Sequence, residues 1–186
     1  MRWSLILFSF FLAVQQPVAD PAYAGQDDPR LDPLFQSLAG AKDAHQARVI
    51  ESRIWSLWLA TGDRVVNSEM ARGIALMNAG ALQSALASFD RIIDGDPTFA
   101  EGWNKRATVY YMMGDLKRSV LDIERTVALE PRHFGAFSGL GLIYLTLGDD
   151  HAALRAFERA LRIHPYYGDI ENQVRRLRKK IKGEPA

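Results

Sequence analysis

Four histidines give this chain its widest chemical reach: His45, His133, His151 and His164. They stand far apart, and none belongs to an H-E-x-x-H pair that would put two imidazoles on one helix face as zinc ligands. His133 and His164 flank Pro131 and Pro165 and read as ordinary turn residues. Asp149 and Asp150 are adjacent carboxylates, but they open a helix, where acids suit the positive end of the helix dipole. No G-x-S-x-G elbow offers a nucleophilic serine, and no G-x-x-x-x-G-K loop offers a phosphate cradle. With no cysteine in 186 residues, disulfides, thiolate zinc sites and cysteine nucleophiles are excluded together. The expectation is a protein without catalytic residues, metal or cofactor.

The glycines and prolines explain what the chain is built for. Pro97, Pro131 and Pro165 are 34 residues apart, as are Gly80, Gly114 and Gly148. The same step relates Ala85, Ser119 and Ala153, then Phe89, Ile123 and Phe157, then Leu76, Tyr110 and Tyr144, then Gly73, Ala107 and Gly141. Six columns on one period mark a tandem repeat of helix-turn-helix units. The small columns are points where two helices cross closely, so Ala107→Leu is expected to overpack and cost ~1–3 kcal/mol. The glycines end first helices, where a left-handed residue suits them. Asp115 and Asp149 help start the following helices, and each proline lies just past a second helix.

In these columns the chain resembles the tetratricopeptide repeat (TPR) family. Trp103, Ala107, Tyr110, Gly114, Ser119, Ile123, Thr126 and Pro131 stand where that family has its signature positions. Phe137, Gly141, Tyr144, Gly148, Ala153, Phe157, Ala160 and Pro165 repeat the pattern, and the first repeat departs from it at Glu69. The resemblance covers residues 66 to 165 and implies an all-α TPR solenoid. Its expected division is 63–97, 98–131 and 132–165 for the three repeats, 25–62 for an N-terminal linker and capping hairpin, and 166–186 for a C-terminal capping helix and basic tail.

The resemblance also implies a concave groove lined by the first helix of each repeat and receiving a protein or peptide. The candidates carried over are Met70, Ile74 and Met77, with Asn67 and Asn78; Glu101, Asn104, Thr108 and Tyr111, with Met112; and Ser138 and Leu142, with Gly135, Leu145 and Thr146. Some chaperone-adaptor members grip a C-terminal carboxylate with lysine and asparagine in the first repeat. Met70 and Ile74 stand there instead, so that clamp is absent. Arg72 and Arg106 occupy a column that is Leu140 in the third repeat; Asp122 is the expected partner of Arg106, and Arg72 has none that the sequence names. Arg91, Arg125 and Arg159 recur at 34 and read as a convex, solvated row.

The flanks have their own logic. Ile50, Ile54, Leu57 and Trp58 share one helical face, and Leu31 to Ala60 reads as two helices split near Gly40 that cover the open end of the array. Trp55 and Trp58 then pack within that cap. Ile170, Val174, Leu177 and Ile181 make a narrow stripe on a last helix whose other positions are mostly Arg and Lys. That helix reads as a solubilising cap, with a weak contact to an acidic surface as its functional alternative. A net charge of +1 points to no nucleic-acid partner. At the start, Arg2, the apolar run Trp3 to Val14 and Ala22-Tyr23-Ala24 have the order of a cleavable secretory signal, cut after Ala24. Twelve residues are too few to span ~30 Å of hydrocarbon, so no stable membrane anchor is expected after cleavage, and the mature chain is expected in the periplasm or secreted.

Overall fold

The computed structural model describes residues 25–183. The expected leader, residues 1–24, lies outside them. A short 3-10 turn at Gly25–Asp27 leads into α1 (Leu31–Ala39) and α2 (Ala44–Trp58). Three hairpins follow: α3 (Arg64–Asn78) with α4 (Leu82–Gly95), α5 (Ala100–Met112) with α6 (Leu116–Leu129), and α7 (Phe134–Thr146) with α8 (Asp150–Ile163). Helix α9 (Gly168–Lys182) closes the array. Among the described residues there is no strand, and no helix is long and apolar enough to cross a membrane.

Local chemistry sets the helix ends. Asp63, Asp115 and Asp149 each accept backbone N–H bonds from the first turn of α3, α6 and α8, satisfying donors that a helix start leaves free. Between the two helices of each hairpin sit Gly80, Gly114 and Gly148, with φ of 75°, 78° and 76°. A side chain there would be strained.

Packing follows the repeat columns. A Cβ on Gly73 would lie 2.6 Å from Phe89 Cε1, and one on Gly141 would collide with the Phe157 ring. The middle repeat meets the same need with Ala107, whose carbonyl accepts a 2.8 Å bond from Ser119 Oγ. Gly141→Val should therefore cost ~1–3 kcal/mol through overpacking, measured as a lower midpoint in urea. An unchanged midpoint would mean that the α7–α8 crossing is slack.

The repeats are also tied across their outer side. Arg106 holds Asp122 through two bonds of 2.8 and 2.9 Å, as expected, and adds Asp90 at 2.7 Å. The Asp122 bonds raise the already high Arg106 pKa further, outweighing its partial burial. Arg72 is exposed and lies 3.8 Å from Glu69. The arginine row at 34-residue spacing is not simply solvated. Arg125 lies over the Trp103 ring and Arg159 over the Phe137 ring, at 5.9 and 5.5 Å. In the first repeat Arg91 instead pairs with Glu69 at 2.7 Å. Where the aromatic residue is replaced by an acid, the same arginine exchanges a cation–π contact for an ion pair.

The N-terminal hairpin is a cap, but its seat differs from the expected one. It does not cover the open outer side of α3, where Ala71, Arg72 and Ala75 are exposed. It lies along the edge where the inter-repeat turns line up. Gln26 bonds the Thr98 carbonyl and the Ala100 amide at the first turn. Arg132 at the second turn pairs with Asp32 and stacks over Phe35. At the third, Tyr166 donates to the Lys42 carbonyl. Leu31, Phe35, Leu38, Ile50, Ile54 and Trp58 form one buried cluster with Phe134 and Ala160 of the third repeat. The α3 side exposes mainly small and charged residues, with Val65 its one large apolar side chain left open among the described residues. The row of turns carries rings, which the hairpin covers.

Candidate binding groove

Helices α5 and α7 run side by side on the inner face, with α6 behind them, and enclose a cleft of about 180 Å³. Small residues make the room: Ala107, Ser119, Ala136 and Gly139 line its floor with Ile123 and Ile143. Thr108, Tyr111 and Leu142 stand at its open edge, with Asn104 and Ser138 deeper in its walls. The structure thus brings together five of the nine leading groove candidates. Leu142 is 36 % exposed, and Met112, further along the same inner face, is 49 % exposed. No rim or floor residue is charged. The Thr108 hydroxyl bonds the Asn104 carbonyl, and the Asn104 amide donates to Glu101. The cleft therefore suits an apolar side chain that brings few polar groups of its own.

The other four candidates lie elsewhere. Met70 is 2 % exposed and packs in the core with Phe89 and Ile92, while Ile74 and Met77 pack against that same cluster. These first-repeat positions contribute to the contact with Val109 and Tyr110 of the second repeat. Glu101 is 1 % exposed, enclosed by Lys105 and His133, against which Trp55 and Trp58 of the N-terminal hairpin are laid.

That sealed region holds the densest electrostatics of the chain. The His133 Nε2–H donates to Glu101 at 2.8 Å, and His133 Nδ1 accepts the Ala136 amide N–H at 3.0 Å. A ring that accepts at Nδ1 and donates at Nε2 is neutral. Lys105 reaches the other Glu101 oxygen at 2.9 Å. Burial by itself would raise the Glu101 pKa, but Lys105 and His133 together outweigh it and hold the carboxyl below its ordinary range. The indole of Trp58 stacks on His133 at 4.2 Å with 7° between the planes. Trp55 stands edge-on to both rings, lies against Gly135 and takes the Lys105 ammonium over its face.

A second histidine repeats the acid partner and the ring stack. His164 is fully buried, bonds Glu51 of α2 at 3.2 Å and stacks on Tyr167. Burial, helped by Glu51, pushes the Tyr167 hydroxyl up to about 12. His133 and His164 are therefore not ordinary turn residues. They sit at the turns, as their neighbouring prolines require, but the hairpin lies over them and uses them as its seat. One signal for this was present in the sequence: Phe99, His133 and Tyr167 form a further column at 34, a flat ring just before α5, α7 and α9. Among the described residues no three His, Cys, Asp or Glu stand together as metal ligands.

Tandem helical hairpins stacked through small-residue crossings, with one inner face left partly open, define a TPR solenoid, and the comparisons agree. The tetratricopeptide repeat profile matches residues 104–168. A TPR repeat-containing protein of Rhizobium etli is 36% identical over 154 residues, which span 83% of this chain and 76% of that one. The chain belongs to the tetratricopeptide repeat family. DnaJ homolog subfamily C member 3 of Mus musculus is 31% identical over 100 residues, 54% of this chain and 20% of that much longer protein. Among solved structures, the first TPR of Spaghetti (RPAP3) bound to an HSP90 peptide superposes with a TM-score of 0.60. It is 20% identical, over 64% of this chain and 94% of that one. The Sgt2 TPR domain from Aspergillus fumigatus gives 0.60 at 20% identity, over 67% of this chain and 87% of that one.

Proposed function

We propose that this chain is a non-catalytic protein-binding module of the cell envelope that holds a peptide segment of its partner in the cleft between α5 and α7. The observation that carries this reading is the uncharged cleft lined by Asn104, Thr108, Tyr111, Ser138 and Leu142. The relatives support it by analogy. The RPAP3 domain is bound to the HSP90 peptide SRMEEVD, and a second RPAP3 TPR domain, 23% identical with a TM-score of 0.57, is in complex with an HSP70 peptide. Without a cationic clamp on its rim, this cleft favours an apolar anchor residue over an acidic tail. Placement in the envelope rests on the leader-like order of residues 1–24, with release into the periplasm or medium after Ala24.

The test is photo-crosslinking from Leu142 in intact cells, with an exposed outer site such as Lys117 as control. A partner captured from Leu142 and not from Lys117 is expected. Asn104→Ala with Tyr111→Ala, or Gly139→Trp to plug the floor, should lower its yield at least about tenfold, the effect of ~1.4 kcal/mol. Capture that ignores all three changes removes the groove from the proposal. The second reading is a structural subunit of an envelope complex held by its cap surfaces, and Val65, 71 % exposed on the uncovered side of α3, would give such a subunit an end-on apolar contact. Light scattering of the purified chain tests its homo-oligomeric form: a stable oligomer dispersed by Val65→Glu supports that form, and a monomer removes it.

A further inference from the structure

The outer face of α9 carries charge that the fold does not use. Val174 and Leu177, with Ile170 beside them, seat the helix against Phe157 and Leu161 of α8. Two of its cations are tied back to α8: Arg178 reaches Glu158 at 2.7 Å and Lys180 reaches Asp150 at 2.6 Å. Arg175, Arg176, Lys179 and Lys182 are exposed and, at i, i+1, i+4 and i+7, share the side of the helix away from the core. Among the described residues none of the four has a carboxylate partner; Arg175 donates to the side-chain oxygen of Asn172.

The helix dipole accounts for Lys179 and Lys182, which lie in the last turn. Its hold on a cation fades beyond that turn, so it does not account for Arg175 and Arg176. The asymmetry extends along the chain. Residues 150–183 hold nine Lys and Arg against four Asp and Glu, whereas the remainder holds fourteen against eighteen. A cluster of like charges repels itself, so the fold bears a small cost here that an anionic partner would relieve.

We propose that this face rests on an anionic membrane surface, with the four cations meeting lipid phosphates. The row is only ~10 Å long at ~1.5 Å per residue. No exposed ring adjoins it for stacking bases, as single-stranded nucleic acid requires, since Tyr166 and Tyr167 are packed into the hairpin cluster. Mobile headgroups can gather under an irregular row of cations, and the contact is purely ionic. This surface lies at the C-terminal end of the array, and its role does not depend on the groove.

The experiment is co-sedimentation of the full chain with phosphatidylcholine vesicles and with vesicles containing 30% phosphatidylglycerol. The ratio between the two is the readout, because the apolar run Trp3 to Val14 contributes to both. In low salt the anionic vesicles should bind at least about fiftyfold more tightly, taking roughly fivefold per cation near such a surface. That advantage should vanish in 0.5 M salt and in R175Q/R176Q/K179Q/K182Q, and survive in R175K/R176K, which keeps the charge. Circular dichroism verifies that the variants keep the wild-type helix content. Free phosphate at millimolar concentration should leave the advantage in place; if it abolishes it, the face is a phosphate-ion site and the membrane proposal fails. An advantage unchanged by the four glutamines, or tighter binding to duplex DNA than to the anionic vesicles, overturns it as well.

Discussion

Trp58→Ala should lower the stability of the chain by ~3–5 kcal/mol, the range for removing a fully buried large aromatic side chain. Trp58 is fully buried, with Phe35 on its own hairpin and His133 and Phe134 on the third repeat all in ring contact. Its loss opens the seat between the N-terminal hairpin and the turns and strips cover from the Glu101 cluster beneath. In a protein of this length the loss corresponds to a fall of roughly 10–15 °C in melting temperature. Chemical denaturation followed by far-ultraviolet circular dichroism measures it. Trp55→Ala is the internal comparison: Trp55 is half-buried, and its loss should cost well under the Trp58 figure. Equal and small losses at both positions would mean that the hairpin is a loosely held appendage.

The second large effect is expected at Glu101. Glu101→Ala leaves Lys105 and His133 facing a cavity, and breaking a buried ion pair from one side costs ~3–5 kcal/mol. Glu101→Gln keeps the shape and isolates the charge. Because the folded carboxyl sits below its ordinary range, the unfolded chain takes up the proton first as pH falls. The stabilisation is then complete above the unfolded value of ~4.3 and is lost as pH drops through the folded pKa. The wild type should lose stability from about pH 4.5 downward, and Glu101→Gln should flatten that part of the profile while being weaker at neutral pH. A wild-type slope that survives intact in Glu101→Gln would assign the acid sensitivity to other carboxylates, Glu51 first among them, since its pKa is also lowered. Trp58 and Glu101 act through the shared His133 ring, so the two losses should not add in the double variant.

How much of this was legible beforehand differs by position. The column Gly73, Ala107, Gly141 could be read because helix crossings leave no room for a side chain, which is a local demand repeated at one period. The Arg106–Asp122 pair could be read because a charge on a half-buried face needs a partner and one stood across the hairpin. Glu101 could not. Its place in the repeat is that of a groove residue, and nothing near it in sequence says that α2, more than forty residues upstream, covers its partners Lys105 and His133. Met70 was illegible for a related reason: it is buried with Phe89, Ile92, Val109 and Tyr110, contacts made on other helices that its place in the repeat does not reveal.

By itself the sequence determined the secondary elements, the period of the stack and the absence of the familiar catalytic motifs, since these depend on residue type and on spacing within a single hairpin. Tertiary structure decided where the N-terminal hairpin docks, which histidines are buried and how much of the inner face stays open. The hairpin docks where the aligned turns offer apolar rings to bury. The row formed by Phe99, His133, Phe134 and Tyr167 exists only after the three hairpins have stacked, so no stretch of chain contains it beforehand.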